Sequence, residues 1–221
     1  MTQVSKTRLA RDRLRSYRNR ARPRADTSLD QVILVDRQDR AIGTMQKFDA
    51  HRQGRCHRAI SVIIRDAQGQ LLLHRRAAGK YHSAGLWTNT CCSHPRPGED
   101  SMHAATRRLA EEMGIVAPLT PLFSMYYRTR VPGRLVEHEV VHVFGGIFDG
   151  RPNPDPSEVG DWCWKALTDT KCEINERPQA YTIWFRKILR EFETEIAYFL
   201  RQKEQAGIQE QTNRNGLNKA F

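Results

Sequence analysis

Nowhere in its 221 residues does the chain hold an apolar run of the roughly 18 residues that a membrane-spanning helix needs, so a soluble protein is expected. Cysteine is scarce: five residues, an odd number, with Cys91 and Cys92 adjacent and no paired C-x-x-C spacing. With no recognisable secretory signal either, these features argue against a disulfide framework and lack the spacing of a structural zinc site, and a reducing cytoplasm is the expected setting. There is no internal repeat and no low-complexity core. Hydrophobic residues make up 39% and charged residues 28%, which excludes a wholly disordered chain and suits one folded domain.

The net charge of +11 is unevenly spread. Residues 1–30 carry nine Lys and Arg against Asp12, Asp26 and Asp30, so six of the eleven charges sit there and the other 191 residues are only mildly basic. A basic pocket for a small anion fits that body as well as a nucleic-acid surface does. Residues 1–28 are too poor in large apolar side chains to bury a core. They read as a solvated tail, an RNA- or membrane-attracted arm, or a targeting segment. Residues 203–221 form a second polar tail, leaving a folded body of 29–202.

Within the body, strand and helix patterns alternate. Strands are expected at 31–36 and near 42–47. A hairpin follows from 58–66 and 70–76 around the turn 66–69, then a strand at 87–93. Residues 100–113 switch to helical spacing: Met102, Ala105, Leu109 and Met113 make one apolar stripe, with Gly114 as C-cap. Strands at 123–130 and 134–148 flank Val131-Pro132-Gly133. One more strand is expected at 157–165, and a single amphipathic helix over 177–203. The sum is an α+β domain.

Four groups of residues carry candidate chemistry. In 93-SHPRPGEDSMHAATRRLAEEMGI-115, Arg108, Glu111 and Glu112 share a helix face, and Glu99 precedes the helix. Carboxylates so placed suit a hard cation such as Mg²⁺ carrying a diphosphate, or are merely a solvated charged face. In 87-WTNTCCSHP-95, strand alternation points Cys92 and His94 together and Cys91 away; Cys92 is a reactive thiol or an inert buried one. In 136-VEHEVVHVF-144, Glu137 and Glu139 share a face opposite His138 and His142; such a pair needs a metal or a proton unless it faces solvent. His51 and His57 bracket a glycine-containing turn, a weak signal alone. Together, nitrogens from His51, His57 and His94 and oxygens from Glu137 and Glu139 suit Mn²⁺, Zn²⁺ or Mg²⁺.

The first segment resembles the Nudix box, with two departures: Ser93 where the box has glycine and Arg108 where it has a metal-binding glutamate. The second departure argues against nucleotide-diphosphate hydrolysis and for a relative with altered chemistry. The runs 41-AIGTMQKFDAH-51, 57-HRAISV-62, 75-RRAAGKYHSAGLWTNTCCSHPRPGE-99, 137-EHE-139 and 158-EVGDW-162, in that order, resemble the type 1 isopentenyl-diphosphate isomerases over about residues 30–190. The resemblance implies a single-domain Nudix fold, a mixed β-sheet sandwiched by helices. It implies that Cys92 and Glu139 are catalytic, with Tyr127 assisting the glutamate. It makes His51, His57, His94, Glu137 and Glu139 the ligands of a tightly bound metal. Glu112 and the backbone carbonyl of Cys92 would hold a substrate-associated Mg²⁺. Lys47, Arg76, Lys80 and Arg108 would surround the diphosphate, and Trp184, with Trp87 second, would line the hydrocarbon pocket. The implied partner is a small molecule, isopentenyl or dimethylallyl diphosphate, taken by a monomer without nucleic-acid or membrane partners. The rivals are a Nudix diphosphohydrolase and a nucleic-acid binder that uses the arginine-rich arm.

Overall fold

The computed structural model describes residues 30–202; both expected tails lie outside the described residues. Nine strands form one mixed sheet: β1 (Gln31–Val35), β2 (Ala41–Gln46), β3 (His57–Arg65), β4 (Leu71–Arg76), β5 (Trp87–Thr88), β6 (Cys91–Ser93), β7 (Leu119–Val131), β8 (Leu135–Ile147) and β9 (Val159–Lys165). The helices are α1 (Lys47–Gln53), α2 (Ser101–Met113), α3 (Leu167–Glu176), α4 (Ile183–Glu191) and α5 (Glu193–Arg201).

β3 is the axis of the sheet. It runs parallel to β8 from His57↔Glu139 to Arg65↔Ile147, and antiparallel to β6 through Ser61↔Cys92. Both of its faces are covered, which is why residues 59–65 are all buried, without alternation. On one face Ala59 and Ile63 meet Trp184, Phe185, Ile188 and Leu189 of α4 and Ile196 and Phe199 of α5. On the other, Ile60, Val62 and Ile64 meet Ala104, Ala105, Leu109 and Met113 of α2. The sheet is therefore sandwiched by helices, as expected. Phe185 is fully buried, and truncating it to alanine should cost about 3–5 kcal/mol.

The stripe on α2 lies as the spacing predicts. Asp100 caps the helix by accepting from the Met102 and His103 amides, and Gly114 closes it at φ 64. A Cβ at Gly114 would clash with the Asn153 carbonyl oxygen.

Two expectations fail, and one element was not expected. The single helix over 177–203 is a 3-10 turn (Pro178–Ala180) followed by α4 and α5, because Phe192, at φ −129, leaves helical geometry and stacks on Phe123 at 4.1 Å. The glycine-containing turn between His51 and His57 is present at Gly54, φ 63, but the helix α1 that leads into it, and that carries His51, was not expected. The strand 87–93 is two short ones. β5 pairs with β4 and β6 pairs with β3, where the β3–β4 ladder has opened beyond Arg65↔Leu71. Side chains bridge that gap: Asn89 donates to the Val62 and Cys91 carbonyls, while Thr90 donates to the Leu72 carbonyl and accepts from the Ile64 amide.

Candidate active site

The register of β3 sets the site. His57 and Ser61 point to one face, so their cross-strand partners Glu139 and Cys92 emerge on that face too, with Tyr127 joining them as the β7 partner of Glu139. Cys91 alternates to the opposite face, against Ala104 and Leu109.

Histidines and carboxylates converge at the β3–β8 end of that face. Ligand atoms of His51, His57, His94 and Glu139 lie within 4.8 Å of one another, as do those of His51, His82 and Glu137. Nδ1 of His51 lies 2.7 Å from the Lys47 carbonyl and Nδ1 of His57 lies 2.9 Å from that of Arg55. A carbonyl only accepts, so each Nδ1 carries a proton, and in its neutral form each ring would turn a lone pair at Nε2 inward. Those lone pairs face carboxylates: His51 Nε2 is 3.5 Å from Glu137 Oε2, and His57 Nε2 is 3.4 Å from Glu139 Oε1. Both Nε2 atoms are buried without a hydrogen-bond partner among the described residues. Lone pair against anion is repulsive, and a divalent cation between them reverses the sign. Four of the five residues expected as metal ligands, His51, His57, His94 and Glu139, are thus brought into one group, while Glu137 stands with His51 and His82 in a second; either donor set suits a divalent ion.

Without an ion the charges are frustrated. Burial and the neighbouring Glu139 push the Glu137 carboxyl well above its ordinary range. Burial works against Glu139 as well, but its hydrogen-bonding contacts with His57 and His94 outweigh burial and lower its pKa. Burial drops His94 to about 3, so it is a neutral ring offering a lone pair. Tyr127 donates to Glu139 Oε2 at 2.7 Å.

Cys92 is held by its surroundings. Its thiol donates to Asn89 Oδ1 at 3.1 Å and lies 3.6 Å from the Ser61 hydroxyl. Burial pushes it up to about 11 against the pull of those two contacts, so the resting group is a thiol. Trp184 packs on the same face, its Nε1 donating to the Thr88 hydroxyl at 2.9 Å, with the Arg76 guanidinium 5.2 Å over its ring.

The other basic residues gather at α2. Arg108 donates to Glu112 Oε1 at 2.6 Å and to Glu158 Oε1 at 3.2 Å, and Lys80 pairs with the second oxygen of Glu158. Burial works against the Arg108 charge, but Glu112 and Glu158 outweigh it. Glu112 is buried, and that burial raises its pKa against the pull of Arg108. Lys47 opens α1, one turn before His51. Glu99 does not join the other carboxylates: Arg107 holds both of its oxygens at 2.7 Å.

Sequence reasoning passed over His82, Glu158, Asn89 and Ser61. All four lie inside the quoted runs, yet no local spacing marks them: His82 meets Glu137 across 55 residues, Glu158 meets Arg108 across 50, and Asn89 meets Ser61 across 28.

A NUDIX domain model matches residues 55–192. The chain is 52% identical over 160 residues to isopentenyl-diphosphate Delta-isomerase 2 of Aromatoleum aromaticum, across 72% of this chain and 85% of that protein. It is 48% identical over 162 residues to isopentenyl-diphosphate Delta-isomerase of Serratia proteamaculans, across 73% of this chain and 90% of that protein. Among solved structures, DR0079 from Deinococcus radiodurans matches with a TM-score of 0.63 at 21% identity, across 73% of this chain and 98% of that one, a likeness of fold.

Proposed function

The chain belongs to the isopentenyl-diphosphate delta-isomerases of the Nudix family, and from that premise we propose that Cys92 and Glu139 carry the two proton transfers that turn isopentenyl diphosphate into dimethylallyl diphosphate. The observation that carries this reading is the register of β3. Glu139 stands opposite His57 and Cys92 opposite Ser61, on one face, so their rungs are about 13 Å apart along the strand. Two side chains reaching in from that separation leave room for a five-carbon alkenyl group between them.

One of the pair protonates the alkene and the other removes a proton from C2; in the reverse reaction they exchange tasks. Both therefore alternate between protonated and deprotonated forms. Tyr127 supports Glu139 through its hydroxyl, and Asn89 and Ser61 orient the thiol. The positive charge that develops at the tertiary carbon needs a dry site and an electron-rich face. Trp184 supplies the face, its ring fixed by the bond to Thr88.

Arg76, Lys80, Arg108 and Lys47 anchor the diphosphate, which is not cleaved; its binding energy orients the alkene. His51, His57, His94, Glu137 and Glu139 would hold Mn²⁺, Zn²⁺ or Mg²⁺, and Glu112 with the Cys92 carbonyl a substrate-associated Mg²⁺; bound, such ions supply positive charge to buried carboxylates and to the diphosphate. We assign the activity to residues 29–202, acting as a monomer in a reducing cytoplasm. The five cysteines are free, which supports that setting. No helix among the described residues is long and apolar enough to cross a membrane.

The test is incubation with isopentenyl diphosphate and Mg²⁺ in heavy water, read by NMR. Dimethylallyl diphosphate carrying deuterium in its new methyl is the expected product. Free phosphate with an unchanged alkene would transfer the site to hydrolysis. Deleting residues 1–28 should leave turnover unchanged.

A further inference from the structure

Between β4 and β5 the chain passes through residues 77–86, and His82, the only histidine of that segment, has no task in the reading above. It is buried at 7% exposure. Its Nε2 lies 3.1 Å from Oε1 of Glu137, whereas the nearer oxygen to His51 is Oε2, at 3.5 Å. Its Nδ1 lies 3.3 Å from the Ser83 hydroxyl. The ring meets Trp184 edge-on at 5.9 Å, and its backbone carbonyl accepts from Arg76 Nη2 at 3.2 Å.

The contrast with His51 and His57 separates their tasks. Those two rings bond a carbonyl through Nδ1, which puts a proton there and leaves Nε2 as the lone-pair nitrogen of the neutral ring. His82 meets a hydroxyl instead, and a hydroxyl can donate. With Ser83 donating to Nδ1, the proton of the neutral ring sits on Nε2, aimed at Glu137. His82 stands outside the group formed by His51, His57, His94 and Glu139 and is grouped instead with His51 and Glu137.

We propose that His82 is a positioning residue: it donates Nε2–H to Oε1 of Glu137 and so presents Oε2 to the metal, tying the ion's carboxylate to the Trp184 wall and to Arg76. This rests on the metal reading above. A ligating carboxylate held by an outer hydrogen bond is fixed in orientation, and losing such a bond costs about 10–100-fold in metal affinity.

The experiment is calorimetric titration of Mn²⁺ into chelator-stripped wild type, His82→Phe and His82→Gln, with the visible spectrum of each protein loaded with Co²⁺. Phenylalanine keeps the ring and its packing but loses the donor, and should raise the Mn²⁺ Kd about 10–100-fold. Glutamine, whose amide can donate from nearly the same place, should recover most of the affinity. The Co²⁺ band intensity should stay constant throughout, since no ligand is lost. Wild-type affinity in His82→Phe would overturn the proposal alone. A Co²⁺ spectrum that reports a lost imidazole in both variants would also overturn it, by making His82 a ligand. Wild type that takes up no ion would overturn the metal reading and this proposal with it.

Discussion

The Tyr127 hydroxyl donates a 2.7 Å hydrogen bond to Oε2 of Glu139, its direct cross-strand partner on the β7–β8 ladder. The other oxygen, Oε1, faces His94 at 3.1 Å and His57 at 3.4 Å. The carboxylate is thus divided between a phenol that can share its proton and a pair of imidazoles. Tyr127→Phe keeps the ring in the core and removes the donor. A hydrogen bond to a charged group is worth about 1.5–3 kcal/mol, so kcat should fall about 10–100-fold while KM stays near wild type. Steady-state kinetics decide it, and a rise in KM alone would place Tyr127 in substrate binding instead.

Cys92→Ser keeps the volume and the contacts to Asn89 and Ser61 but substitutes a far weaker acid for a thiol already pushed up to about 11 by burial. General acid–base transfer contributes about 10²–10⁴-fold, and turnover should fall by that much with diphosphate binding retained. Glu139→Gln should fall comparably. Near-normal turnover in either variant, measured by single-turnover conversion of labelled substrate, would remove that residue from the proton-transfer pair.

How far these groups were legible depended on what each signal encodes. The stripe on α2 and its Gly114 cap are local facts of period and backbone, and both lay where the sequence put them. Strand alternation in 137-EHE-139 likewise gave the shared face of the two glutamates. The break at Phe192 was hidden because the amphipathic pattern runs on through it; the stack on Phe123, 69 positions away, decides it. Box spacing placed Glu99 near the other carboxylates but could not say that Arg107, eight residues on, takes both its oxygens. His82 was invisible for the same reason: it meets Glu137 across 55 residues, and nothing in its own neighbourhood announces a partner.

Arg108 marks where this chain parts from a hydrolase box. It pairs with Glu111, Glu112 and Glu158, and Glu112 is 4% exposed. Arg108→Glu would restore the box carboxylate but set a fourth anion among three. Stripping the partner from a buried carboxylate typically costs about 3–5 kcal/mol, and with Arg108 a fifth exposed about 2–4 kcal/mol is the expected loss in denaturant titration. KM for isopentenyl diphosphate should rise, and no phosphate should be released. Phosphate release above background would show that one carboxylate is enough to convert the site to hydrolysis.

His74 gives the fold a pH dependence that can be isolated from the metal site. It is buried on β4, and its Nδ1 donates to the Thr90 carbonyl at 2.9 Å, part of the bridging that seats β6 and hence Cys92. Burial lowers it from an ordinary 6.5 to about 4, so the native state refuses a proton that the unfolded chain accepts. As pH falls below 6.5 the unfolded state gains that proton first, and stability drops by up to about 1.4 kcal/mol per pH unit until the native ring titrates near 4. Above 6.5 the contribution is fully present. His74→Asn retains an amide donor for the Thr90 carbonyl and cannot take up the proton. Denaturant midpoints of the chelator-treated proteins at pH 7.5 and 5 should therefore converge, the variant losing less stability than wild type over that interval. Equal losses in the two proteins would mean that His74 is protonated in the folded state at pH 5, and that the bond to Thr90 is strong enough to hold a buried imidazolium.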